Sequence, residues 1–140
     1  MVNGTVLLMT GSFSVAAQYI SWTVFFLCNG LLLLNQIPDI EADKAVGRRH
    51  LPVLLGLRPT AWIYLLLLVG AYGSLVVGER LGALPATTLI ALATFPLGLL
   101  IWRGVLRSTE YPDELVPALG KNVLLVLITP VLVGVGLVLG

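Results

Sequence analysis

The chain has 140 residues, of which 58% are hydrophobic and only 11% are charged. A soluble domain carries roughly 25% charged residues, so this composition excludes an ordinary water-facing surface and favours a lipid-embedded one. The net charge of +1 supplies no strong field for nucleic acid, and the lone Cys28 excludes an internal disulfide.

The first part of the chain contains no Asp, Glu, Lys or Arg before Asp39. That run is longer than one span of about 20 residues. It predicts the end of one hydrophobic segment, a break near Thr10–Ser14, and then a full span. A start of this kind predicts that residues 1–140 form one transmembrane domain, the C-terminal part of a larger protein.

Four uncharged segments have the length that a bilayer requires. They are Ser14–Leu34, Pro59–Gly78, Gly82–Trp102 and Asn122–Leu139. The pattern therefore predicts an all-α protein, a bundle of about four transmembrane helices with short loops.

Aromatic residues and prolines mark the ends and interiors of these spans. Trp62 and Tyr64 open the second span and Trp102 closes the third, as expected for anchors at the membrane interface. Pro96 and Pro130 fall inside predicted spans, where we expect kinks.

Small residues recur every four positions in the second span, at Gly70, Ser74 and Gly78. This spacing places them on one stripe of a helix, where another helix can approach closely. The stripe predicts a packing face without a chemical role.

The charges lie in three loops, and every Lys and Arg except Arg80 belongs to the first or the third. These two loops lie on the same side of a four-span bundle. The positive-inside rule therefore predicts that both face the cytoplasm. In the third loop, Glu110–Glu114 could form part of a lid, although a solvated connector is the simpler interpretation, and Lys121 marks a membrane edge.

The first loop carries the most informative residues. Asp39 and Asp43 are four apart, so a helix starting at Pro38 would place both carboxylates on one face and turn Glu41 away. An Asp at the bilayer centre costs about 2.5–3.5 kcal/mol, whereas a cation at the interface can neutralise it. Mg²⁺ suits this position because it takes one or two carboxylates and completes its shell with water and phosphates.

Basic side chains follow these carboxylates at once. Lys44, Arg48 and Arg49 supply a compact charge and two planar forks that match phosphate oxygens. Carboxylates beside bases at a membrane surface suggest a metal–diphosphate site for a substrate with an apolar tail.

Simpler interpretations of the loop stay open on spacing alone. The loop could be charged only because it is solvated, and Asp39 could cap a helix. The bases could be a topology signal or contact anionic lipid. Gly47 could be only a turn, and His50 is interpreted as a loop residue rather than a base.

The full string is more specific than its spacing. It runs Asn35-Gln36-x-Pro38-Asp39-x-x-x-Asp43-Lys44-x-x-Gly47-Arg48-Arg49 and is followed by Leu54-Leu55-Gly56. This string resembles the second aspartate-rich motif of the UbiA superfamily of intramembrane prenyltransferases. Its Asn-Gln-x-Pro-Asp form is most similar to the branch that prenylates 1,4-dihydroxy-2-naphthoate in menaquinone synthesis. Thr10–Ser14 also resembles the start of that branch's sixth helix.

The resemblance implies a fold and a reaction. Family members have nine helices, and the four spans would match the last four. The implied reaction is Mg²⁺-dependent transfer of a polyprenyl group from a polyprenyl diphosphate to an aromatic acceptor, in a bacterial plasma membrane. Asp39 and Asp43 would hold Mg²⁺, Lys44 and Arg48 would contact the diphosphate, and Asn35 would help to orient the site.

The chain also departs from the family pattern. No second acidic pair with the spacing of the family's first motif occurs in the sequence. We therefore expect the chain alone to be inactive and to need a chain that supplies the N-terminal half. The alternative is a non-catalytic membrane subunit or remnant. A transporter is disfavoured because the predicted spans hold no ionisable residues.

Overall fold

The computed structural model describes residues 2–140, with side chains from residue 4 onward, and consists of helices. The helices are α1 (Val2–Thr10), α2 (Val15–Asn35), α3 (Ile40–Ala45), α4 (Leu51–Leu55), α5 (Leu57–Arg80), α6 (Phe95–Arg107) and α7 (Leu115–Leu139). Two 3₁₀ segments, Ala86–Thr94 and Pro112–Glu114, precede α6 and α7. No strand occurs within residues 2–140, which confirms the all-α prediction.

Four helical stretches are long and apolar enough to cross a membrane. They are Val15–Asn35, Leu57–Arg80, Ala86–Arg107 and Pro112–Leu139. The prediction of about four spans is therefore confirmed. The predicted start of the last span is too late, because α7 begins at Leu115 and runs through Lys121. A helix can continue past a charge at the membrane edge when the side chain points to water.

The predicted break near Thr10–Ser14 is present and has a local cause. Gly11 ends α1 with a positive φ of 69°, a conformation that glycine adopts at little cost. Ser14 then caps α2, its side chain accepting a hydrogen bond from the backbone N–H of Ala17 at 3.3 Å.

The stripe Gly70, Ser74 and Gly78 is the face of α5 that packs on α2, as predicted. A Cβ added at Gly70 would lie 3.1 Å from the ring of Phe26, and one at Gly78 only 2.9 Å from Tyr19. Between them, the hydroxyls of Ser74 and Thr23 are 2.7 Å apart. Because Gly70 and Gly78 have no side chains, α2 and α5 can approach each other closely at these positions.

Pro96 lies at a change in helix type. The third span is a 3₁₀ helix over Ala86–Thr94 and becomes the α-helix α6 at Phe95. Pro96 therefore occupies the first turn of α6, where its missing N–H costs little. Pro130 lies inside α7, which is helical throughout.

The aromatic residues show which loops share a side of the bundle. Trp62, near the start of α5, and Trp102, near the end of α6, pack edge to face with centroids 5.1 Å apart. The first and third loops are therefore on the same side. The prediction of Tyr64 as an interfacial anchor is wrong. Its side chain is buried and its hydroxyl donates to Oδ1 of Asn122 at 3.0 Å, because it projects into the bundle rather than towards lipid.

A cluster of buried hydroxyls links three spans in the interior. The Tyr72 hydroxyl lies 2.6 Å from Oγ1 of Thr94 and 3.3 Å from Oγ1 of Thr129. The two threonine hydroxyls are 2.9 Å apart. Each hydroxyl thus has partners away from water, as buried polar groups require.

Candidate active site at the Asp39 loop

The loop begins where α2 reaches the membrane edge. The helix ends at Asn35, whose side chain is exposed, and Ile37 then inserts into the core. The helix predicted from Pro38 begins two residues later, at Ile40, and Asp39 is its N-cap residue. Pro38 lies in the turn before it, where a residue without an N–H is tolerated.

Asp39 and Asp43 are one helical turn apart. The Asp43 N–H donates to the carbonyl oxygen of Asp39 at 2.8 Å. The Asp39 side chain is exposed and makes no capping hydrogen bond. No ion pair involving it occurs among residues 4–140. Asp39 therefore occupies the N-cap position of α3 but does not cap the helix through its side chain. Its carboxylate is open to a ligand.

Asp43, by contrast, is held at both oxygens. Nη1 of Arg48 lies 3.3 Å from Oδ1, and Nε2 of His50 lies 2.8 Å from Oδ2. The Asp43 side chain is only 14% exposed and that of His50 only 17%. The two partners fix the orientation of the carboxylate.

His50 is a loop residue, as predicted, and its side chain contacts the Asp43 carboxylate. The sequence did not predict this contact. The cause is Gly47, which has a φ of 75° and reverses the chain, and the Arg48 N–H then donates to the Asp43 carbonyl at 2.9 Å. A glycine directly after a short helix is the signal that predicts this return.

The remaining basic residues are close to water. Nζ of Lys44 lies 2.9 Å from Oε1 of Glu41, and both side chains are at least half exposed. Such surface pairs contribute about 0–1 kcal/mol, so Lys44 can exchange this partner for a phosphate. Glu41 takes part in this pair and was not expected to bind metal. Arg49 is exposed and has no ion pair within the part of the chain that the structure describes.

The sequence model of the UbiA prenyltransferase family matches residues 1–125, which include this loop and three complete spans. The chain belongs to the UbiA prenyltransferase family. No curated protein and no solved structure matches it. This match confirms the superfamily predicted from the string around Asp39. The family consists of membrane enzymes that transfer a polyprenyl group to an aromatic acceptor.

The loop of this UbiA family member offers donors that suit Mg²⁺. No group of three or more His, Cys, Asp or Glu side chains that could hold a metal occurs among the described residues. Mg²⁺ commonly takes one or two carboxylates, and substrate phosphates and water complete its shell. Asp39 has its oxygens free, and the Asp43 oxygens retain lone pairs beyond the two hydrogen bonds they accept.

An apolar groove begins beside the loop and continues to bilayer depth. Its cavity volume is about 290 Å³. It is lined by Asn29, Leu32, Leu33, Gln36, Leu51, Ile63 and Leu67. Gln36 and Leu51 adjoin the loop, and Leu67 lies more than two turns further along α5 than Arg58. This groove cannot be predicted from sequence patterns, because it forms where α2, α4 and α5 meet.

A second groove follows one face of α2. It has a cavity volume of about 490 Å³ and mixes aromatic with polar side chains. They are Gln18, Ser21, Trp22, Val24, Phe25, Cys28 and Asn29. Most recur at helical spacings of three and four, a pattern that reveals the face from sequence. One of its polar groups is satisfied within α2, because Nδ2 of Asn29 donates to the carbonyl oxygen of Phe25 at 2.8 Å.

Proposed function

We propose that the Asp39 loop binds the diphosphate of a polyprenyl diphosphate through Mg²⁺, for transfer of the polyprenyl group to an aromatic acceptor. One observation carries the proposal. An unpaired carboxylate, Asp39, lies one turn from Asp43, which is fixed at both oxygens, where a membrane-spanning helix meets water. Paired acceptors at this depth suit a ligand with a charged head and an apolar tail.

In this proposal each side chain of the loop has a distinct task. Asp39 and Asp43 hold the metal, which when bound withdraws negative charge from the departing diphosphate. His50 and Arg48 keep the Asp43 carboxylate in one orientation, so His50 is a positioning residue. Arg48 is 75% exposed, and its fork has donors left for phosphate oxygens.

Two further residues contact the ligand at its edges. Lys44 leaves its weak surface pair with Glu41 and supplies a compact positive charge to the diphosphate. Asn35, exposed at the end of α2, offers an amide that orients the bound head group. The groove beside Gln36 and Leu51 receives the first units of the polyprenyl chain, because most of its lining residues are apolar and it begins beside the loop.

The aromatic acceptor and the cellular setting form part of the same proposal. The Asn35-Gln36-x-Pro38-Asp39 form supports a 1,4-dihydroxy-2-naphthoate acceptor and menaquinone synthesis. The excess of basic residues in the first and third loops supports a cytoplasmic position in a bacterial plasma membrane. Because residues 1–140 contain a single acidic pair of this kind, we expect these residues alone to transfer no prenyl group.

Binding tests the metal site without requiring a complete enzyme. The full chain in detergent is titrated with a farnesyl thiodiphosphate, which resists cleavage, with and without Mg²⁺. We expect saturable binding that depends on Mg²⁺ and is lost in the double variant D39N/D43N. Glu79→Gln is the control, because it removes a carboxylate at the opposite end of the bundle, where Glu79 pairs with Arg80.

Two results would contradict the proposal. One is binding that is equal with and without Mg²⁺, and the other is a double variant that binds as well as the unaltered chain. Prenyl transfer by the chain alone, in membranes containing the aromatic acceptor, would contradict only the inactivity of the chain. It would leave the metal assignment standing.

A further inference from the structure

A groove between α6 and α7 lies on the same side of the bundle as the Asp39 loop. Its cavity volume is about 260 Å³. Its floor is a close approach of the two helices, since a Cβ added at Gly104 would lie 3.0 Å from the Cβ of Ala118. The remaining lining residues are Leu100, Arg103, Arg107, Glu114 and Lys121.

The charges of this groove are not balanced by the chain. Arg103 and Arg107 are four apart on α6, so their side chains lie one turn apart on one face. Lys121 faces the groove from α7, and Glu114 is the opposing carboxylate. None of these four side chains has an ion-pair partner within 4 Å in residues 4–140. Three cations against one carboxylate leave a net positive crevice.

The groove continues into an apolar surface on its membrane side. Leu100 lies one turn deeper than Arg103 and is 54% exposed, and Leu124 lies one turn deeper than Lys121 and is 53% exposed. Trp102, beside Arg103, packs against Trp62, and this aromatic pair is typical of the interface. A ligand that fits this surface has an anionic head at the water boundary and an apolar chain below it.

We propose that this groove binds the phosphate group of an anionic glycerophospholipid. Arg103 and Arg107 present planar forks that match phosphate oxygens, and Lys121 adds a compact charge from the opposite wall. Basic crevices between transmembrane helices on the cytoplasmic side are suited to such head groups. The site shares no residue with the Asp39 loop, so the proposal does not depend on the prenyltransferase assignment.

A free diphosphate offers the same oxygen atoms but has no apolar chain. Leu100 and Leu124 therefore favour a lipid as the source of the phosphate. Free diphosphate would gain nothing from the leucines and should compete with lipid only weakly.

The experiment measures binding of phosphatidylglycerol to the full chain in detergent by native mass spectrometry, with phosphatidylcholine and inorganic diphosphate as comparison ligands. The triple variant R103Q/R107Q/K121Q should weaken phosphatidylglycerol binding by at least about tenfold, since each interfacial cation contributes to binding an anionic lipid. Glu114→Gln should tighten it, because it removes the opposing charge. All four side chains are exposed, and circular dichroism of each variant checks that the helices are retained.

Arg80→Gln is the matched control, because it removes a cation at the opposite end of the bundle, where Arg80 pairs with Glu79 at 3.6 Å. Its binding of phosphatidylglycerol should be unchanged. An equal loss in R80Q would show general interfacial attraction and overturn the proposal. Unchanged binding in the triple variant would do the same. Weaker binding in E114Q, or displacement of lipid by diphosphate at equal concentration, would also overturn it.

Discussion

The polar groups of the interior and those of the Asp39 loop are satisfied in opposite ways. In the interior, Tyr72, Thr94 and Thr129 use one another as partners and are closed to any ligand. In the loop, each Asp43 oxygen accepts one hydrogen bond, while Asp39, one turn away, has no side-chain partner. Satisfied groups stabilise the bundle, whereas a carboxylate left open beside an oriented one is suited to binding.

Asp39→Asn should have the largest effect, because it should reduce ligand binding at the loop without changing the stability of the bundle. It removes the open carboxylate without disturbing any hydrogen bond of the fold, so Mg²⁺-dependent binding of a prenyl thiodiphosphate should fall sharply. The loss should exceed the about 10–100-fold typical when a group that merely orients a metal ligand is removed. The midpoint of thermal unfolding in detergent should not change. Lost binding with a matching loss of stability would show that Asp39 supports the fold instead.

His50→Ala tests whether the pairing of Asp43 matters for binding. Without the imidazole N–H, the Asp43 carboxylate keeps only Arg48 as partner. The Mg²⁺ concentration for half-maximal prenyl thiodiphosphate binding should rise by about 10–100-fold. His50→Gln, which can donate an amide N–H to the same oxygen, should recover part of the affinity. If both variants keep the original Mg²⁺ dependence, His50 does not position the ligand.

Local sequence signals predicted most of the fold and part of the site. The break near Thr10–Ser14 follows from the length of the uncharged run, and the packing stripe of α5 follows from helical spacing. Asp39 and Asp43 were identified through the resemblance of the full aspartate string, and their role at a metal site stays a prediction. The burial of Tyr64 was not predicted, and neither was the contact of His50 with Asp43, because packing and the turn at Gly47 bring these partners together. Such contacts depend on how helices and loops come together, which periodicity does not report.

Gly78→Ala tests the packing face with a smaller expected effect. The added Cβ would lie 2.8 Å from Leu84 Cδ1 and 2.9 Å from the Tyr19 ring, so these side chains or the helices that carry them must shift. Overpacking of this kind costs about 1–3 kcal/mol. Gly73→Ala on the same helix is the control, since no atom lies within 4 Å of its Cβ position. Equal unfolding free energies for the two variants would show that the stripe does not set the helix distance.

Tyr72→Phe should have the smallest effect on the free energy of unfolding. It tests a polar group of the bundle interior. The substitution keeps the ring that packs edge to face on Phe95 with centroids 5.2 Å apart and removes only the hydroxyl. Thr94 and Thr129 still have each other and their backbone acceptors, so neither is left unsatisfied. Hydrogen bonds between membrane helices average about 0.6 kcal/mol, and the unfolding free energy should fall by about that amount. Tyr111→Phe, at an exposed position, is the control. Binding of the prenyl thiodiphosphate should be unchanged in both, because an interior hydroxyl whose partners are all within the bundle stabilises the fold and reaches no ligand.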